Sequence, residues 1–242
     1  MMADTKTNTT IARVVGAVYL AGFVVGLVGE GLFQSVLGAP DHLAIVSANR
    51  TTLAAGALLW LMAVIGDAAH GVLMFPILKR HSERMAVGYL AARIVDAIFI
   101  AVMVLFILLQ IPLGSQYLQA AAADTVPLQA LGALLTQAQL YAYQIGMSAL
   151  GVSGVVLCST LYRARLLPRW LAAWGLAGYA IIFCGMLSEI MGSGLGLASS
   201  IPGGLWEVFV GVWLIARGFS APASAPAKLA AAAGDAISLP QA

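Results

Sequence analysis

Apolar and polar positions along this chain do not alternate; they come in blocks. Six long apolar runs, at residues 11–33, 53–78, 85–111, 134–162, 170–191 and 200–219, are separated by shorter stretches that hold most of the charge. A run of about 20 apolar residues rises ~30 Å as an α-helix, which matches the hydrocarbon core of a bilayer. The pattern therefore predicts an all-α polytopic membrane protein, with six transmembrane helices in a single bundle spanning residues 11–219. The polar start, residues 1–10, and the Ala/Ser/Pro-rich end, residues 220–242, are predicted to be disordered.

The connections refine that picture. Glu30 interrupts the first run and no small-residue cleavage site follows it, so the run is read as a retained span rather than a signal peptide. Lys79 to Arg84 forms a tight charged turn, which makes spans two and three antiparallel neighbours. Pro112 is expected to stop span three, leaving residues 112–133 as the longest loop, with a short interfacial helix at residues 117–123. Thr125 and Pro127 have the character of a helix start, so span four is expected to begin outside the bilayer. Gly192 to Gly196 reads as a flexible link between spans five and six.

Composition excludes the water-soluble alternative. The chain is 61% hydrophobic and 9% charged, with a mean hydropathy of +0.95, whereas soluble domains are roughly half apolar and a quarter charged. The net charge of +2 matters less than its placement. With the N-terminus inside, ten of the twelve Lys and Arg residues fall on the inner side, Arg50 falls outside and Arg93 lies within a span. That bias predicts cytoplasmic N- and C-termini and a multi-pass protein of a bacterial-type inner (cytoplasmic) membrane. The bilayer is then the one partner the sequence requires.

Other chemistries find little support. Cys158 and Cys184 sit at different depths in two spans and are not expected to pair. His42, His70 and His81 fall in a loop, a helix and another loop, without metal-ligand spacing. No cofactor motif appears, and no basic, aromatic-interleaved face suggests nucleic acid.

The chemistry worth locating is inside the membrane. Asp67 and His70 lie midway along span two; Arg93 and Asp96 lie at matching depth in span three. Each pair is spaced i, i+3, so each helix can present both groups on one face. Gly66 and Gly71 flank the first pair and would let span three approach. A charge at the bilayer centre costs ~2.5–3.5 kcal/mol, so pairing is expected. Arg93 can neutralise one Asp; the second needs a protonated His70 or a proton of its own. The cluster thus suits a proton or small-molecule ligand, as in a small proton-linked or solute-binding transporter. Alternatively, it is interhelical glue in a structural or partner-binding component.

Three further features carry candidate chemistry or packing. Glu30, Glu189 and Glu207 are placed towards the outer face, where they could ring a cation-attracting vestibule or simply reach interfacial water. Gly22 and Gly26 have the small-xxx-small spacing of close helix contacts. Gly151-Val152-Ser153-Gly154 matches the Gly-x-Ser-Gly of rhomboid intramembrane proteases, but span six lacks the histidine that family uses, so His70 would have to serve as base. An embedded enzyme is the third reading of function. Nothing in the sequence fixes a homo-oligomeric state.

Several segments carry a family likeness. They are Ala12-Arg13-Val14-Val15-Gly16-Ala17-Val18-Tyr19-Leu20, Arg93-Ile94-Val95-Asp96, and the junction Leu161-Tyr162-Arg163-Ala164-Arg165-Leu166-Leu167-Pro168-Arg169-Trp170-Leu171 with Gly175 and Gly178. Glu207 and Trp213-Leu214-Ile215-Ala216-Arg217-Gly218 complete the set. In these the chain resembles the uncharacterised bacterial membrane proteins grouped as domain of unknown function 4386, over residues 11–218. Asp96 departs from it, standing where a longer Glu is more usual. The resemblance implies a six-helix integral membrane protein and assigns no catalytic residues.

Overall fold

The computed structural model describes residues 2–121 and 124–220. Seven helices follow one another: α1 (Met2–Leu37), α2 (His42–Val46), α3 (Arg50–Lys79), α4 (Glu83–Gln119), α5 (Thr125–Arg163), α6 (Arg169–Ile190) and α7 (Gly196–Arg217). All but the short α2 are long and apolar enough to cross a membrane. The all-α bundle expected from the blocks of apolar residues is thus present, and the chain is a multi-pass membrane protein. Six crossings bring the start of α1 and the end of α7 to the same end of the bundle, beside the α3–α4 and α5–α6 turns; this is the basic end.

The six long helices form a closed ring. α1 packs on α3, α3 on α4, α4 on α5, α5 on α6, α6 on α7, and α7 returns to α1. Lipid tails are as apolar as leucine, so burial of apolar surface does little to order such a ring; close packing does. The seams are accordingly built on small residues. A Cβ at Gly16 would lie 2.5 Å from the Gly211 carbonyl oxygen where α1 meets α7, and one at Gly56 would lie 2.8 Å from that of Gly29 where α1 meets α3. Large apolar side chains such as Val24, Leu27, Ile65 and Val72 point outward and stay exposed, as a lipid-facing surface requires.

Two separate cores fill the ring. Near the basic end, Val15, Met74, Tyr89, Leu157, Trp206 and their neighbours from all six long helices pack together. Towards the other end, Phe33, Leu53, Ile100, Met103 and Ile107 form a second cluster that α6 and α7 do not join. The candidate site lies between them.

Helix ends depart from the sequence expectation in two places. α1 is helical from Met2, across residues expected to be disordered. Pro112 does not end span three: it sits inside α4, which continues to Gln119 and takes up the expected interfacial helix as far as that residue. An interior proline costs ~3 kcal/mol; here Leu113 is buried beyond it and Gly114 packs on Leu43 and Val46 of α2. α4 and α5, at 37 and 39 residues, rise ~55 Å and so outlast a ~30 Å core. α5 does begin at Thr125 as expected. The Lys79–Arg84 turn is tight, with Ser82 Oγ accepting from Met85 N at 3.4 Å to cap α4. Gly218 closes α7 with φ +70°, a conformation that favours glycine. The expected disordered tail lies, from residue 221 on, outside the described residues.

Candidate functional site

The α3–α4 hairpin sets the register. A Cβ at Gly71 would sit 3.2 Å from Arg93 Cβ, so these two residues face each other across the seam. Gly66 instead looks towards Val18 of α1. From Gly71's level the long Arg93 side chain rises one turn and places its guanidinium between the two carboxylates. Nη2 donates to Asp67 Oδ1, Nη1 donates to Asp96 Oδ2 at 3.1 Å, and Nε donates to the Asp67 carbonyl oxygen at 3.4 Å. The spacing that brought Asp67, Arg93 and Asp96 to one depth is thus a bridging ion network.

His70 does not join it. Its Nδ1 is hydrogen-bonded to the Tyr89 hydroxyl, one turn below Arg93 on α4, and its ring meets the edge of Tyr19 at 4.3 Å between centroids. The expected cluster of four therefore divides into an ion network of three and a histidine–tyrosine pair beneath it. His70 is 1% exposed, and its Nε2 has no hydrogen-bond partner. It borders a narrow void with about 10 Å³ open to the centre of a water, alongside Tyr19, Met74, Leu157 and Trp206. That is about the space one water needs.

Aromatic side chains close the basic-end side. Trp206 meets Tyr19 and Tyr179 edge-on at 6.0 and 5.4 Å, and its Nε1 donates to the Leu171 carbonyl at 2.7 Å. Tyr179 donates to Glu207 Oε1 at 2.7 Å, and Glu207 lies within electrostatic reach of Arg93 and Asp67. Tyr89, Tyr179 and Trp206 carried no mark in the sequence, and Tyr19 entered only within the family-like segment of span one. The one available signal was Tyr89, a turn before Arg93 on the same face.

On its other side the network is less tightly enclosed. Val15, Tyr19 and Phe33 form the buried stripe of α1, opposite the exposed Val24, Leu27 and Val28, and Gly22 and Gly26 share its register while only partly buried. At Gly22 and Gly26 an added Cβ would meet nothing within 4 Å. The small-xxx-small pair therefore makes no close helix contact: an added Cβ there would enter open space, and the close contacts fall at Gly16 and Gly29 instead. Asp67 belongs to the inward stripe of α3 with the buried Ala63, His70 and Met74, yet its side chain is 31% exposed, against 6% for Arg93 and 2% for Asp96. Tyr143 and Met147, on the inward stripe of α5, are likewise only partly buried.

The three glutamates have separate partners. Glu30 accepts from Gln34 Nε2 at 3.0 Å, and Glu189 Oε2 accepts from the Gly196 amide at 2.8 Å, capping α7. Glu207 sits halfway along α7 rather than in its first turns. Ser153 donates to the Leu150 carbonyl at 2.8 Å. With His70 Nδ1 held by Tyr89 and Nε2 unpartnered, the serine–base pair of the protease motif is not formed. Both cysteines are free, and among the described residues no group of three or more His, Cys, Asp or Glu could hold a metal ion.

A family model described as "Domain of unknown function (DUF4386)" matches residues 14–218. No curated protein and no solved structure matches the chain.

Proposed function

We propose, for a chain that belongs to the family described as domain of unknown function 4386, that the Asp67–Arg93–Asp96 network is the proton- or solute-binding site of a small transporter. The observation that carries this reading is Asp67 itself. It points into the ring, is ion-paired to Arg93, and remains a third exposed. Two carboxylates around one guanidinium are a positive charge short of neutrality. In a low-dielectric interior that deficit favours binding of a proton or a cationic group.

The access route runs along Gly22 and Gly26, and the aromatic floor at Tyr19, His70 and Trp206 separates the site from the basic end. In a bacterial-type cytoplasmic membrane with both termini inside, the approach is from the outer face, past the Phe33–Ile107 core that α6 and α7 do not join. A ligand would enter there, complete the charge at Asp67, and leave by displacement of the floor.

Proteoliposomes loaded with a pH-sensitive dye test the proton version under an imposed gradient. Wild-type protein is expected to dissipate the gradient faster than protein-free vesicles. Asp67→Asn and Asp96→Asn are expected to return it to the protein-free rate at unchanged folded yield. Wild-type flux from both variants would remove the proposal.

A second reading has its own support. Arg93 also holds the Asp67 carbonyl, so the network clamps α3 to α4. If both substitutions lower folded yield while the surviving protein keeps its flux, the cluster serves assembly instead.

A further inference from the structure

Outside the ring, between α6 and α7, lies an apolar groove of about 530 Å³. Its walls include Trp174, Leu205, Phe209, Val212 and Trp213, and Arg217 stands at its end. The aromatic walls brace one another: Trp170 meets Phe209 and Trp213 at 5.7 and 6.3 Å, and Trp174 meets Phe209 at 5.7 Å. Trp174 Nε1 also donates to the Pro202 carbonyl at 3.2 Å, which ties the two helices together. The groove is therefore a preformed depression with stiff sides.

We infer that this groove holds one acyl chain of an anionic phospholipid, with its phosphate on Arg217. Three observations select that occupant. The groove lies on the lipid-facing side of two membrane-spanning helices, so hydrocarbon bathes it. Its one charged lining residue is a cation in the last turn of α7. Among the described residues Arg217 has no carboxylate partner; its guanidinium rests 4.9 Å above the Trp213 ring, which leaves its N–H edge free.

A guanidinium fork matches phosphate oxygens. The indole rings suit the headgroup level, where tryptophan collects. The start of α6, with Arg169 and its unsatisfied backbone N–H groups, adds positive potential at the same end. Other basic residues at that end, Arg84 and Arg165, would enrich anionic lipid in the same leaflet.

Tryptophan emission reports on the groove directly. Trp170, Trp174 and Trp213 are at it, while Trp206 is fully buried and Trp60 lies on α3. Full-length protein is placed in phosphatidylcholine vesicles containing brominated-chain phosphatidylglycerol or, at equal mole fraction, brominated-chain phosphatidylcholine. The expected result is an apparent association of the brominated anionic lipid about fivefold stronger, corresponding to one basic residue at the surface. Arg217→Gln should abolish that preference, and Arg217→Lys should keep most of it. High salt should weaken it in the wild type, a control that holds even if Arg217→Gln does not fold. Equal quenching by the two lipids in the wild type, or a preference insensitive to both Arg217→Gln and salt, would overturn the assignment.

Discussion

At the scale of single residues, Arg93 carries the most consequence. It is buried and makes bonds to both Asp67 and Asp96. Removing one partner of a buried ion pair leaves an uncompensated charge, at a cost of about 3–5 kcal/mol. Arg93→Met should therefore lower the detergent-solubilised unfolding midpoint sharply. Adding Asp67→Asn and Asp96→Asn to it should restore most of the loss, since both carboxylates that Arg93 neutralised are then uncharged. A triple variant no more stable than Arg93→Met would show that Arg93 acts through packing. His70 answers to a different partner. Its place beside Tyr89 was not legible because a tyrosine in an apolar run looks like ordinary packing, and only the side-chain directions separate it from the ion network. The pairing of Asp67 with Arg93 was legible, because counting from a tight turn fixes depth in two antiparallel helices.

At the scale of helices, the glycines divide into those that touch and those that do not. Gly16 lies at a seam where an added Cβ would strike the Gly211 carbonyl, while Gly26 faces free space. Gly16→Leu should open the α1–α7 seam and reduce monodisperse folded protein on size exclusion. Gly26→Leu should leave that profile intact and lower gradient dissipation in proteoliposomes, because the new side chain enters the access route. The reverse pattern would mean the interior is closed at Gly26. Sequence spacing could not tell these glycines apart: small-xxx-small marks a face without naming what the face meets. Helix ends were misjudged for a related reason. Pro112 has the local character of a stop, but α4 continues past it to Gln119, with Gly114 packed on α2.

At the scale of the whole molecule, the apolar blocks were enough to predict six spans, while the closed ring and the gap between its two cores emerged only from how the helices are arranged. The account rests on that gap being wet. Cysteine labelling tests it most directly, in full-length protein with Cys158 and Cys184 replaced and the membrane-impermeant thiol reagent on the outer side. Gly26→Cys is predicted to react at a rate approaching that of a cysteine at Ser193 in the α6–α7 loop. Leu27→Cys, one residue along and exposed to lipid, is predicted to stay unreacted. Labelling of Gly26→Cys no faster than Leu27→Cys would contradict a water-filled interior at Asp67.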